Sequence, residues 1–171
     1  YGLLSDKNKM LEVHFGVTGD IPVPKDYDGD GKADLAVYTL SGGSWLVRSS
    51  SNNSLKKIKL GGPDYLPIPS DYDGDGTADL AVWNYKNNHC KILFSSFLGS
   101  KLSGQISLEI QEKLKGIKCF PLSSDYYGDG KSELAFWEYG NDLVHLFKVE
   151  GNNFKYEQFQ VSTKGSSQPI N

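Results

Sequence analysis

The chain has 171 residues, 38% hydrophobic and 23% charged, with two cysteines and a formal net charge of −3. That length suits one domain with a sizeable core, and the composition excludes disordered and collagen-like classes. No apolar run approaches the roughly 18 residues of a membrane-spanning helix, and no signal peptide is visible. The first residue is Tyr1, as expected of a mature product or a trimmed piece.

Residues 1–4 and 10–16 read as two short strands. Residues 21–24 form a third, leading into Asp26-Tyr27-Asp28-Gly29-Asp30-Gly31-Lys32-Ala33-Asp34. After this loop come a β-branched and aromatic strand at 35–40, a tight Ser41-Gly42-Gly43-Ser44 turn, a strand at 45–48, a polar link at 49–54 and a strand at 55–60. The loop places carboxylates at its first, third, fifth and ninth positions (Asp26, Asp28, Asp30, Asp34), with glycines for the sharp turns. Hard oxygen ligands at that spacing suit Ca²⁺, and the Lys32 backbone carbonyl falls where a main-chain ligand is needed. An EF-hand is excluded because its twelfth position requires a bidentate Glu between helices, whereas Val37 stands there between strands.

The same unit recurs. Asp71, Asp73, Asp75 and Asp79 repeat the carboxylates, with Thr77 at the carbonyl position, and Leu80-Ala81-Val82-Trp83 follows. A third copy holds Asp125, Asp129 and Glu133, with Lys131 at the carbonyl position, but Tyr127 replaces the second Asp. Calcium is therefore expected at the first two loops, and a weaker or empty site at the third. Loop starts lie 45 and then 54 residues apart, and Pro22, Pro67 and Pro121 each stand four residues ahead of their loops. The matching turns, Lys86-Asn87-Asn88-His89 and Tyr139-Gly140-Asn141-Asp142, suit positive φ. The extra length of the second unit falls in residues 95–104, a variable loop of the kind that carries binding function.

Two segments, PVPKDYDGDGKADLAVY and PIPSDYDGDGTADLAVW, resemble the FG-GAP or VCBS-type repeat of bacterial surface and secreted proteins. The acidic loop is similar to the calcium loops of the integrin α-subunit propeller. The resemblance implies an all-β fold of β-propeller blades, each a four-stranded antiparallel sheet with calcium in the loop joining its first and second strands. It also implies roles in adhesion, recognition or assembly. Repeats are expected at about 17–61, 62–115 and 116–162, with a partial blade at 1–16 and a tail at 163–171 whose Gln168-Pro169-Ile170 could begin another blade. Propellers close with about four to eight blades. Closure is expected from a longer parent chain, further copies or a protein partner, unless the two ends combine into an incomplete fourth blade.

The three loops hold 11 of the 21 acidic residues, leaving 10 acids against 18 Lys and Arg elsewhere. Two bound Ca²⁺ would move the net charge from −3 to +1, which gives little reason to expect nucleic-acid binding. Lys56, Lys57 and Lys59 read as a solvated strand face. His14, His89 and His145 lack zinc spacing, and no GxSxG, HExxH, P-loop or GxGxxG context occurs, so no enzyme is expected. Cys90 and Cys119 read either as one disulfide or as two small buried side chains. Trp45, Trp83, Trp137, Tyr38 and the loop residues Tyr27, Tyr72 and Tyr126 recur at repeat positions, the signature of packing between blades. The reading is a calcium-stabilised extracellular, cell-surface or periplasmic interaction module. The alternatives are a lectin-like module binding a glycan and an accessory domain of a secreted enzyme.

Overall fold

The computed structural model describes residues 2–4, 9–11, 14–95 and 105–161. Strands β1 (Gly2–Leu4) and β2 (Lys9–Leu11) pair antiparallel as a two-stranded sheet. Three four-stranded antiparallel sheets follow, each with its strands in sequential order. The first contains β3 (Ile21–Pro22), β4 (Leu35–Thr39), β5 (Ser44–Arg48) and β6 (Leu55–Lys59). In the second are β7 (Tyr65–Pro67), β8 (Leu80–Asn84), β9 (His89–Leu93) and β10 (Gln105–Glu109), and in the third β11 (Cys119–Pro121), β12 (Leu134–Glu138), β13 (Leu143–Glu150) and β14 (Asn153–Gln160). The expected four-strand unit is present three times.

Strand ends differ slightly from the sequence reading. His89 opens β9 instead of ending the turn, and Cys119 is the first residue of β11. The turns are held as their residues dictate. Gly43 sits at φ +60°, and a Cβ there would lie 2.3 Å from the Gly62 nitrogen, so only glycine lets the β4–β5 turn approach the chain leaving β6. Asn88 and Asp142, at φ +55° and +51°, fill the corresponding turns of the other sheets.

The first and second sheets each bury one face, the front, against the back of the next. Val23, Tyr27, Ala36, Tyr38, Trp45 and Val47 of the first sheet enclose Leu80 and Val82 of the second. Ile68, Tyr72, Ala81, Trp83, Cys90 and Ile92 enclose Leu134, Phe136 and Phe147 of the third in the same way. Burying each of these large side chains contributes about 1.5–3 kcal/mol, so the sheet-to-sheet seams are the main source of cohesion. The polar atoms brought inside are bonded: Trp45 Nε1 donates to the Leu60 carbonyl at 3.1 Å, and Trp83 Nε1 to Asn88 Oδ1 at 3.2 Å.

The recurring aromatics behave as packing residues in the first two sheets, but Tyr126 departs from them. It is 43% exposed, against 5% for Tyr27 and 1% for Tyr72, because among the described residues no further sheet covers the front of the third. His145 is buried, bonded to Glu138 and Tyr156, whereas His14 is exposed. Cys90 and Cys119 are both free thiols, and burial raises both, Cys119 to about 11. Most of the variable loop at 95–104, and the tail at 163–171, lie outside the described residues. No helix among those described is long and apolar enough to cross a membrane.

Candidate metal centre

All three acidic loops share one backbone frame. The first carboxylate grips two glycine amides: Gly29 and Gly31 N–H donate to Asp26 at 2.7 and 2.8 Å, Gly74 and Gly76 to Asp71 at 2.6 and 2.8 Å, and Gly128 and Gly130 to Asp125 at 2.7 and 2.9 Å. These glycines lie between φ +69° and +84°, where a side chain would be strained. At the ninth position Asp34, Asp79 and Glu133 are buried, and each accepts from the amide of the loop tyrosine at 2.8–2.9 Å. The tyrosine hydroxyls close each loop onto the preceding strand: Tyr27 donates to the Val23 carbonyl, Tyr72 to that of Ile68 and Tyr126 to that of Leu122. Isolated bridges Lys25↔Asp34, Ser70↔Asp79 and Ser124↔Glu133 pin the loop mouths.

Within that frame the first two loops bring acid oxygens together. Asp26, Asp28 and Asp34 form one cluster, and Asp71, Asp73 and Asp79 another, with one oxygen from each residue within 4.8 Å of the others. Among the described residues, no Lys or Arg forms an ion pair with these six carboxylates. The fifth-position residues lie outside these clusters and are held by other donors: Asp30 accepts from Lys32 N–H and Ser50 Oγ, and Asp75 from Thr77 N–H and Ser95 Oγ. Burial raises Asp79 to about 7, with its neighbouring carboxylates adding to the rise, and burial followed by the charge of Asp75 raises Asp73. Three converging hard oxygens, short of positive charge, fit a divalent cation.

The third loop has its own cation. Lys148 Nζ, carried on β13, pairs with Asp129 and holds that carboxyl below its usual range. The same ammonium lies 5.2 Å from the centre of the Tyr127 ring. Tyr127 turns away from the loop, donating to Glu157 Oε2 at 2.6 Å, and that bond pushes its phenol up to about 12. Glu133 keeps one buried oxygen, Oε1, without a partner. Asp125, Asp129 and Glu133 do not form a cluster of the kind seen in the other two loops.

The chain that follows the third strand accounts for the difference. In the first two sheets it leaves the sheet after Arg48 and Leu93, so that Ser50 and Ser95 N–H turn in to Asp34 and Asp79 at 2.7 and 2.8 Å. Ser49 and Ser51 hydroxyls also reach Asp28 and hold its carboxyl low. In the third sheet β13 continues to Glu150, placing Lys148 and Val149 where serines would stand, and Glu133 loses its second donor. These serines and Lys148 were missed in the sequence, although a serine follows the third strand in the first two units and not in the last.

Neighbouring loops are also linked. Ala78 N–H donates to the Asp26 carbonyl at 2.7 Å and Ser132 N–H to that of Asp71 at 2.6 Å, so the eighth position of one loop clasps the first of the loop before it. Residues 26–82, from the first loop into β8, match the FG-GAP-like repeat family. That segment is a repeat of FG-GAP type. No curated protein and no solved structure matches the chain. The FG-GAP match takes in both carboxylate clusters and stops short of the lysine-filled loop.

Proposed function

We propose that this chain, which carries a repeat of FG-GAP type, is a calcium-stabilised, non-enzymatic module for protein contact outside the cell or at its surface. Two carboxylate triads, each within 4.8 Å and unpaired with any Lys or Arg among the described residues, carry the reading. Bound Ca²⁺ would supply the positive charge the triads lack and accept the six to eight oxygens that hard cation prefers. Asp26, Asp28 and Asp34 would hold one ion and Asp71, Asp73 and Asp79 the other. Asp30, Asp75 and the Lys32 and Thr77 carbonyls are the candidates to complete each shell.

The chain's own residues fix the frame beforehand: the first carboxylate sets the turn, the tyrosine anchors it and the ninth carboxylate is buried beneath. A site so preformed clasps the loop to its sheet and, through the Asp26 and Asp71 carbonyls, to the next sheet. Calcium is abundant outside cells, where sites of moderate affinity fill and stabilise the fold by mass action. The non-enzymatic part of the proposal rests on the lack of any catalytic motif in the sequence. Native mass spectrometry of the chain in calcium tests the metal assignment. Two ions are expected, falling to one in Asp34→Asn and in Asp79→Asn; a metal-free chain, or two ions retained in both variants, would refute it.

A further inference from the structure

At the end of the second sheet away from its acidic loop, two connections stand apart that touch in the first sheet. In the first sheet the β4–β5 turn lies directly on the chain leaving β6, and Leu60 N–H donates to the Gly43 carbonyl at 2.9 Å. The chain leaving β10 is longer. Nine residues, 110–118, join β10 to β11, against five, 60–64, between β6 and β7, so part of the extra length of the second unit falls here and not in the loop at 95–104. This connection folds into a turn of its own: Lys113 and Leu114 N–H donate to the Ile110 carbonyl at 3.1 and 3.3 Å, and Ile110 and Leu114 are fully buried. Asn88, at the place of Gly43, spans the gap with its side chain and donates to the Leu114 carbonyl at 2.9 Å.

Between the β8–β9 turn and this connection lies a cleft of about 580 Å³, within the size range of small-ligand sites. Apart from Gly116, every residue lining it has a polar side chain. Two of these side chains are fixed at one end and open at the other. Asn87 Oδ1 accepts from His89 N–H at 3.1 Å, and Gln111 Nε2 donates to Glu109 Oε2 at 3.1 Å, which leaves the second polar atom of each carboxamide without a protein partner among the described residues. Glu112 and Lys115 are exposed, and among the described residues neither is in an ion pair, whereas Lys86 is paired with Asp64 at 2.9 Å.

We infer that this cleft binds a neutral saccharide unit of a glycan. Carboxylates and an ammonium face the same space, so a lone anion or a lone cation would meet a like charge there. The lining offers no apolar seat for the aromatic or aliphatic anchor of a protein partner. A sugar hydroxyl both donates and accepts, which suits a mixed polar wall. Gln111 and Glu112 would accept from neighbouring hydroxyls while Asn87 and Lys115 donate to them. The inference adds a glycan contact to the proposed protein contact, and it rests on neither that role nor the metal.

The test applies the fluorescently labelled intact chain, in calcium, to a printed array of glycans ending in galactose, glucose, mannose, fucose or N-acetylhexosamine, with sulfated and sialylated glycans beside them. Saturable binding to a subset of the neutral glycans is expected, and the matching free sugar should compete. Glu112→Ala and Lys115→Ala should each weaken it about tenfold, the loss expected when a charged hydrogen-bonding group is removed. Both positions are exposed, so both variants should keep the parent thermal midpoint. Lys57→Ala on β6, outside the cleft, should leave binding unchanged. No binding to neutral glycans, binding confined to the sulfated or sialylated ones, or an affinity unchanged in both cleft variants would overturn the inference. Calcium counting on the same chain reads the metal assignment separately.

Discussion

The first two acidic loops and the third share a backbone and differ in what neutralises them. In all three, the opening aspartate grips two glycine amides and the tyrosine hydroxyl anchors the loop to the preceding strand. The frame common to all three is therefore made of local hydrogen bonds and glycine torsions. In the first two loops, a second aspartate and a buried ninth aspartate converge without a paired cation. Lys148 answers the charge of the third, and the second carboxylate is replaced by a tyrosine bonded to Glu157. A repeat frame can thus keep its shape while its contents change from converging, unpaired carboxylates to a carboxylate paired with an ammonium.

Chelation should divide the molecule most sharply. An ion at a hundredfold its Kd stabilises by about 2.7 kcal/mol per site, so EGTA should lower the thermal midpoint by several degrees or more. Amide exchange should accelerate at 26–34 and 71–79 while 125–133 changes little. Equal acceleration in the third loop would break the comparison. A smaller effect is expected from paired isosteric changes. Asp79→Asn leaves one acceptor for the Tyr72 and Ser95 amides and removes a ligand, and should cost about 2 kcal/mol in denaturant unfolding. Glu133→Gln keeps an acceptor for Tyr126 and should cost under about 1 kcal/mol. Similar costs for the two would show that the ninth position plays one role throughout.

Much of the frame was legible because its determinants are local. The spacing of Asp, Gly and Tyr within nine residues, and the strand and turn residues beside them, are enough to place three four-stranded sheets. The convergence of Asp28 with Asp34 also follows from short-range winding. What closes each site comes from farther away: Ser50 meets Asp30 from 20 residues along the chain, and Lys148 meets Asp129 from 19. Those contacts depend on where the third strand ends. Three additional residues in β13 exchange a serine donor for a lysine, a change that strand propensity alone does not reveal. Tyr126 was expected to be packed like its counterparts, but burial at that position is supplied by the following sheet and not by its own segment.

The comparison can also be sharpened by converting one region into the other. Tyr127→Asp with Lys148→Ser restores the second carboxylate, removes the internal cation and supplies a hydroxyl at the place of Ser49. Calcium titration followed by native mass spectrometry should then count three ions instead of two. At tenfold Kd the added ion would raise stability by about 1.4 kcal/mol relative to the same variant with chelator. An unchanged count would mean that Glu133, one methylene longer than Asp34 and Asp79, cannot bring its oxygen into the cluster. Its unpartnered Oε1 makes that geometry the property under test.

The smallest effect should come from Lys148→Met, which removes the ammonium and preserves an apolar stem against the Tyr127 ring. Lys148 and Asp129 are both solvent-accessible, at 30% and 39% of their side-chain surface, so water and salt screen their attraction. The variant should unfold slightly earlier than the parent in low salt. That difference should vanish by about 1 M salt, where the Debye length is ~3 Å. The chelator response should persist at both salt concentrations, since the two triads lie elsewhere. If Lys148→Met instead abolished that response, the third loop would be part of the same cooperative unit as the first two. The route would be the Ser132-to-Asp71 hydrogen bond that ties it to its neighbour. A strictly local loss would show that each loop keeps its own charge balance and that the clasp transmits position without transmitting charge.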